Sequence, residues 1–198
     1  MPNSITETDY KTAGQTLGAA VSAIKAVASV ESAGAGFLPD GRPKILFERH
    51  VMYAQLSDKL GKTKADQLAS KHPDIVNPVS GGYSGGAKEH DRLSRAAEID
   101  RECALSSASW GAFQIMGYHW KSLGYASQQA FINAMYASAS AQLDSFVRFI
   151  KADPALLRAL KALDWKAFAR RYNGPAYAKN QYDTKMSDAY RKFAGGAA

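Results

Sequence analysis

The chain has 198 residues, 46% of them hydrophobic, and a net charge of +7, which suits one compact domain able to bury its own core. Its single cysteine, Cys103, excludes an intrachain disulfide. The opening "MPNSITETDYKTAG" lacks the basic and apolar regions of a secretory signal, and no run is apolar for long enough to span a bilayer. The charge is uneven: residues 1–147 hold 14 basic and 14 acidic side chains, whereas residues 148–198 hold 11 and 4. That basic final third is either a solvated face or a surface for an anionic partner.

In chain order, residues 1–12 read as a loose N-terminal segment. "AGQTLGAAVSAIKAVASV" spaces Leu17, Val21, Ile24 and Val27 as the buried face of one Ala-rich helix ending near Glu31. "ESAGAGFLPDGRPK" is a loop or small hairpin around its "PDG" turn. Helical spacing resumes over "ILFERHVMYAQLSDKL" and again over "TKADQLASKH", with Thr63 as N-cap and Pro73 as stop. "PDIVNPVSGGYSGGAKEH" is a mobile loop, followed by a helix over "AKEHDRLSRAAEIDRECALSS". After "SWGAFQIMGYHWKSLGY" comes one long amphipathic helix over "SQQAFINAMYASASAQLDSFVRFIKA". Asp153-Pro154 opens another. Asp164 caps "WKAFARRYNG", and a last helix spans "AKNQYDTKMSDAYRKF". The expected fold is mainly α, a single domain over 1–198 with at most a small β-hairpin near residues 36–46 and with 148–198 as its basic C-terminal helices.

Three stretches carry candidate chemistry. Glu31 ends a helix, where its charge opposes the macrodipole. An apolar surround from Val27, Val30 and Phe37 raises a carboxyl's pKa and keeps it protonated, as a general acid requires. Taken alone, it reads rather as the exposed Glu of a frayed helix end. "SASWGAFQIMGYHW" gathers Trp110, Phe113, Tyr118 and Trp120 around Gln114, the mix of rings and amides that suits a sugar cleft, or an ordinary aromatic core. "ARRYNGPAY" sets Tyr172 and Asn173 at a sharp corner. Gly174 is explained there as a helix stop, but Tyr172 is not. "GYSGG" fits a nucleophile-elbow pattern, yet no apolar strand precedes it, and a flexible lip is the better reading. The four histidines and one cysteine form no zinc spacing. No metal or cofactor is expected.

In order, Glu31-Ser32, the Ser109-to-Ile115 element and Tyr172-Asn173-Gly174 resemble goose-type lysozymes and soluble lytic transglycosylases. "ESAGAGF", "LFERHVMY", "ASWGAFQIMG" and "RYNGPAY" more closely resemble the phage N-acetylmuramidases, over about residues 15 to 193. The resemblance implies a lysozyme-like helical fold and cleavage of the β-1,4 bond between N-acetylmuramic acid and N-acetylglucosamine. It makes Glu31 the general acid and gives Ser32, Ser109, Trp110, Gln114, Tyr118, Tyr172 and Asn173 to the substrate cleft. Glu48 is a second carboxylate or a residue that holds Arg49 or a loop, with Asp40, Asp100 and Glu102 behind it. "SAGAGF" then serves the close approach of a glycan to the acid. The implied partner is the peptidoglycan glycan strand, with the basic final third drawn to an anionic outer membrane. A monomer is expected, with no nucleic-acid partner, made in the host cytoplasm and reaching the wall after holin-type release. A lytic transglycosylase shares the same motifs and needs no second carboxylate. A non-catalytic peptidoglycan-binding module keeps the cleft without the chemistry.

Overall fold

A computed structural model of the chain describes residues 4–32 and 36–195. Among these, eleven α-helices and a small antiparallel sheet are found: α1 (Glu7–Leu17), α2 (Val21–Glu31), β1 (Ile45–Phe47), α3 (Arg49–Leu60), α4 (Lys62–Lys71), α5 (Lys88–Ile99), α6 (Arg101–Ser106), β2 (Ala108–Trp110), β3 (Ile115–Met116), α7 (Gln128–Ala137), α8 (Ala139–Ala152), α9 (Pro154–Lys161), α10 (Trp165–Tyr172) and α11 (Tyr182–Gly195). The fold is mainly α, as the periodicity and the resemblance both anticipate. No helix among the described residues is long and apolar enough to cross a membrane.

The chain divides into two compact units, one of residues 1–35 and 138–198, the other of residues 36–137. In the first, α2 packs along α11, α1 against α8, and α10 against α9 and α11. Ile24, Val27, Leu143, Phe146, Leu160, Phe168 and Met186 are all buried in it. Of the segment to residue 12 expected to be loose, residues 7–12 are helix instead. Thr6 and Asp9 form a reciprocal capping box at the start of α1, and the Asp9 carboxylate also accepts the Ser140 hydroxyl at 2.6 Å. These bonds satisfy the first-turn donors that a frayed end leaves open.

Three helices expected to be continuous are each broken by a capping residue. Gly18, at φ 59°, ends α1 with its N–H on the Gln15 and Gly14 carbonyls. Asp100 ends α5 and caps α6 by accepting from the Cys103 N–H. Ser138 caps α8 through the Ala141 N–H. Asp153 and Asp164 cap α9 and α10 as read from sequence. Thr63 does not cap α4, because the helix already starts at Lys62. A 3-10 turn, Tyr177–Asn180, precedes the last helix.

In the second unit, the expected hairpin near 36–46 reduces to one bridge between Phe37 and Pro43. Ile45–Phe47 leaves the helix expected there and becomes the first strand of a sheet ordered β1-β2-β3. Ile45 pairs Trp110, Leu46 pairs Ser109, and Ser109 pairs Met116. "ASWGAFQIMG" is therefore a tight hairpin plus the start of a 3-10 turn at Gly117–His119. A Cβ on Gly117 would stand 1.9 Å from the Leu105 carbonyl oxygen, so only glycine fits. Gly117→Ala is expected to cost about 3 kcal/mol or more, read as a lowered urea midpoint.

Candidate active site

Glu31 is the last residue of α2, and no basic side chain offsets its charge in that turn. The flanking residues on its helix, Val27 and Ala28, are fully buried. The carboxyl is reached by Asn173, whose Nδ2 donates to Oε2 at 3.0 Å. Among the described residues, the other oxygen, Oε1, is buried without a hydrogen-bond partner, and so is Asn173 Oδ1. Burial raises the Glu31 pKa to about 7, against the pull of the Asn173 bond toward the ionised form. Burial with a single N–H donor favours the neutral acid, so the carboxyl stays largely protonated below about pH 7.

The corner that presents Asn173 is built by its neighbours. Asn173 ends α10 with its N–H on the Ala169 carbonyl at 2.8 Å, and Gly174, at φ 81°, turns the chain away. Tyr172 anchors that corner. Its ring meets Phe146 and Phe149 edge-on at 5.6 Å and stacks on Phe168 at 5.9 Å. Three Phe contacts occupy the ring, which explains the tyrosine better than stacking on a sugar does. Burial, then the Glu31 charge, holds the Tyr172 hydroxyl well above its ordinary pKa. Ser32 follows Glu31 as the C-cap of α2, its N–H on Ala28. Ala33, Gly34 and Ala35, on which the close-approach reading of "SAGAGF" mainly rests, lie outside the described residues.

The second motif, in the other unit, is mostly architecture. Trp110 is 1% exposed and its indole N–H donates to the Leu105 carbonyl at 3.3 Å, so its ring belongs to the core and offers no face to a glycan. Ser109 is 6% exposed and gives its hydroxyl to Gln114 Oε1 at 2.7 Å. Gln114 returns its amide to the Gly111 carbonyl at 2.8 Å and holds φ at 47°, a left-handed conformation that the two local bonds support. Tyr118, 44% exposed, is the ring of this stretch that stays open to solvent, with His119 beside it at 4.4 Å.

Glu48 is the N-terminal flank of α3. Its carboxylate accepts the Tyr83 hydroxyl at 2.9 and 3.0 Å and lies 3.2 Å from His50 Nδ1. Arg49 reaches the carbonyls of Pro73, Val79 and Ser80. The segment from Pro73 to Tyr83, which leads into "GYSGG", is therefore tied to the start of α3 by both residues.

Sequence reasoning missed the residues that secure this loop. Glu89 is fully buried. It accepts the N–H groups of Phe47 at 3.0 Å, Ser84 at 2.6 Å and Gly85 at 2.9 Å. Its partner Arg92 pairs with it at 2.8 Å and also donates to the Phe47 and Asp74 carbonyls. In "KEHDRL" an acid in the first turn of a helix is what the macrodipole favours, so nothing in the sequence marks it as buried.

The profile of the N-acetylmuramidase family matches residues 20–194. The crystal structure of the Burkholderia AP3 phage endolysin superposes with a TM-score of 0.94 at 49% identity, over 98% of this chain and 73% of that one. No curated protein matches at a significant level. With the family profile spanning most of the sequence, the chain belongs to the N-acetylmuramidase family of glycoside hydrolases.

Proposed function

We propose that the protein lyses the host cell wall for a phage, and that Glu31 is the general acid that cleaves peptidoglycan between N-acetylmuramic acid and N-acetylglucosamine. The observation that carries the assignment is the Glu31 carboxyl itself, buried at a helix end, its pKa raised to about 7, with one oxygen on Asn173. The protonated carboxyl gives its proton to the leaving glycosidic oxygen while water adds to the anomeric carbon of N-acetylmuramic acid and loses a proton, and Asn173 Nδ2 steadies the Glu31 carboxylate until it is reprotonated. Activity therefore declines as pH rises through about 7, where Glu31 loses its proton. Asn173→Ala removes a bond that favours the charged form, so its alkaline limb moves upward by as much as about one pH unit. A pH–rate profile on purified peptidoglycan reads both.

Glu48 serves in this reading to hold Tyr83 and the loop rather than to act on the sugar, since its carboxylate is already engaged. Tyr118 is the remaining candidate for stacking. The strongly basic residues 148–198 supply attraction to an anionic outer membrane, the enzyme acts as a monomer, and a holin-type lesion gives it access to the wall. Mass spectrometry of the products tests hydrolysis directly. Reducing muramoyl ends support it, and anhydro-muramoyl ends establish a transglycosylase in its place.

A further inference from the structure

Outside the Glu31 corner, the first unit carries a hollow of about 370 Å³ between the start of α10 and the first turns of α11. Trp165, Lys166, Asp183, Thr184, Ser187 and Arg191 line it. The Trp165 ring, half-exposed, packs against Tyr190 with centroids 5.5 Å apart, which fixes it as a platform. The corner that presents it is costly to build. Leu163 sits at φ 57°, where a branched side chain is strained. The Asp164 N–H is tied back to Ala159, and the Trp165 N–H to Leu163. Asp164 accepts the Ala167 N–H with one carboxylate oxygen and also lines the hollow.

We infer that this hollow is a second glycan-binding site, one that holds a sugar ring of peptidoglycan away from the bond being cut. A tryptophan face with hydroxyl, carboxylate and guanidinium groups around it matches the apolar face and the hydroxyl and N-acetyl edges of a pyranose. The hollow is shallow and open to solvent, suited to seating one face of a ring rather than enclosing a whole ligand. Its lining sets Lys166 and Arg191 against Asp164 and Asp183, so the hollow is close to neutral. An uncharged N-acetylated sugar suits it better than a phosphate or a carboxylate-rich stem. Trp165 opens the helix that Tyr172 closes, which puts it about 12 Å from Asn173 along the helix axis. The site is thus separate from the acid yet carried on the same element, so one strand held at both points is presented in a fixed register.

The inference rests on peptidoglycan as substrate and not on Glu31. Its test uses the full chain carrying Glu31→Gln and measures retention on sedimented sacculi. Trp165→Ala removes the platform. Thr184→Met, at an exposed position, fills the hollow without changing charge, so any loss is not weakened attraction to an anionic wall. Each is expected to lower affinity for sacculi about fivefold. In the Glu31 parent, each should leave turnover of a short soluble N-acetylated oligomer within about twofold. Unchanged retention of the Thr184→Met protein, or an equal fall on the short oligomer, overturns the site. The two readings separate because clearing of sacculi by Glu31→Gln alone speaks against the acid, whereas retention speaks only to the hollow.

Discussion

Glu31→Gln is expected to lower peptidoglycan hydrolysis by at least about 100-fold, the usual contribution of a positioned acid, while making the protein more stable in mild alkali. Gln keeps the acceptor for Asn173 and the shape of the neutral acid but has no proton to give. The stability effect follows from the raised pKa. A carboxyl that ionises near 4.5 unfolded and near 7 folded binds its proton more tightly in the native state. Native stability is then fully present below pH 4.5 and declines as pH rises through 7. At pH 8 the wild type bears the cost of a buried charge, about 2–3 kcal/mol, and the Gln variant does not. Thermal melts at pH 4.5 and pH 8 should show the variant's advantage only at pH 8. A residue that merely touches substrate would give the loss of rate without the pH-dependent gain.

Glu89→Ala is expected to be the most damaging single change away from the acid, costing about 3–5 kcal/mol. The Glu89–Arg92 pair closes the outer edge of β1. Glu89 takes the Phe47 N–H and Arg92 the Phe47 carbonyl, as a neighbouring strand would. Removing Glu89 leaves three N–H groups without their acceptor and a buried guanidinium without its counter-charge. Desolvation alone would push the Glu89 carboxyl up, but the N–H groups of Gly85, Phe47 and Ser84, with Arg92, outweigh it and hold the pKa below its ordinary value. Its contribution is therefore complete above the ordinary carboxylate range and lost as pH falls through the lowered pKa. Urea titrations of wild type and variant should differ most near neutrality and converge in acid.

Much of this was legible in the sequence. Helical periodicity and the caps Asp153 and Asp164 placed most helices, and the resemblance carried by "ESAGAGF" and "RYNGPAY" singled out Glu31 and Asn173 one by one, though not their hydrogen bond. The errors have local causes. Gly18, Asp100 and Ser138 break patterns whose apolar spacing continues straight through them, so periodicity joined helices that capping separates. Ile45–Phe47 is too short for its alternation to outweigh the helical spacing that follows. Trp110 and Ser109 looked like a cleft because a ring beside a hydroxyl and an amide reads the same whether it faces a ligand or a hairpin turn. Glu89 was silent because burial of an ion pair depends on what the rest of the chain brings to it.

The hydrogen bond between Glu31 and Asn173 joins positions 142 residues apart, and α2 rests on α11, the last helix of the chain. During synthesis, α2 emerges long before either partner exists, and until then its terminal carboxylate is wetted by solvent and ionises as any other. If Glu31 is the acid proposed above, a fragment ending before Tyr172 carries the same glutamate but lacks the Asn173 amide and the packing of α2 on α11. Long-range closure of this kind slows folding, and under the proposed reading it makes the acid depend on helices that follow α2 by more than 130 residues.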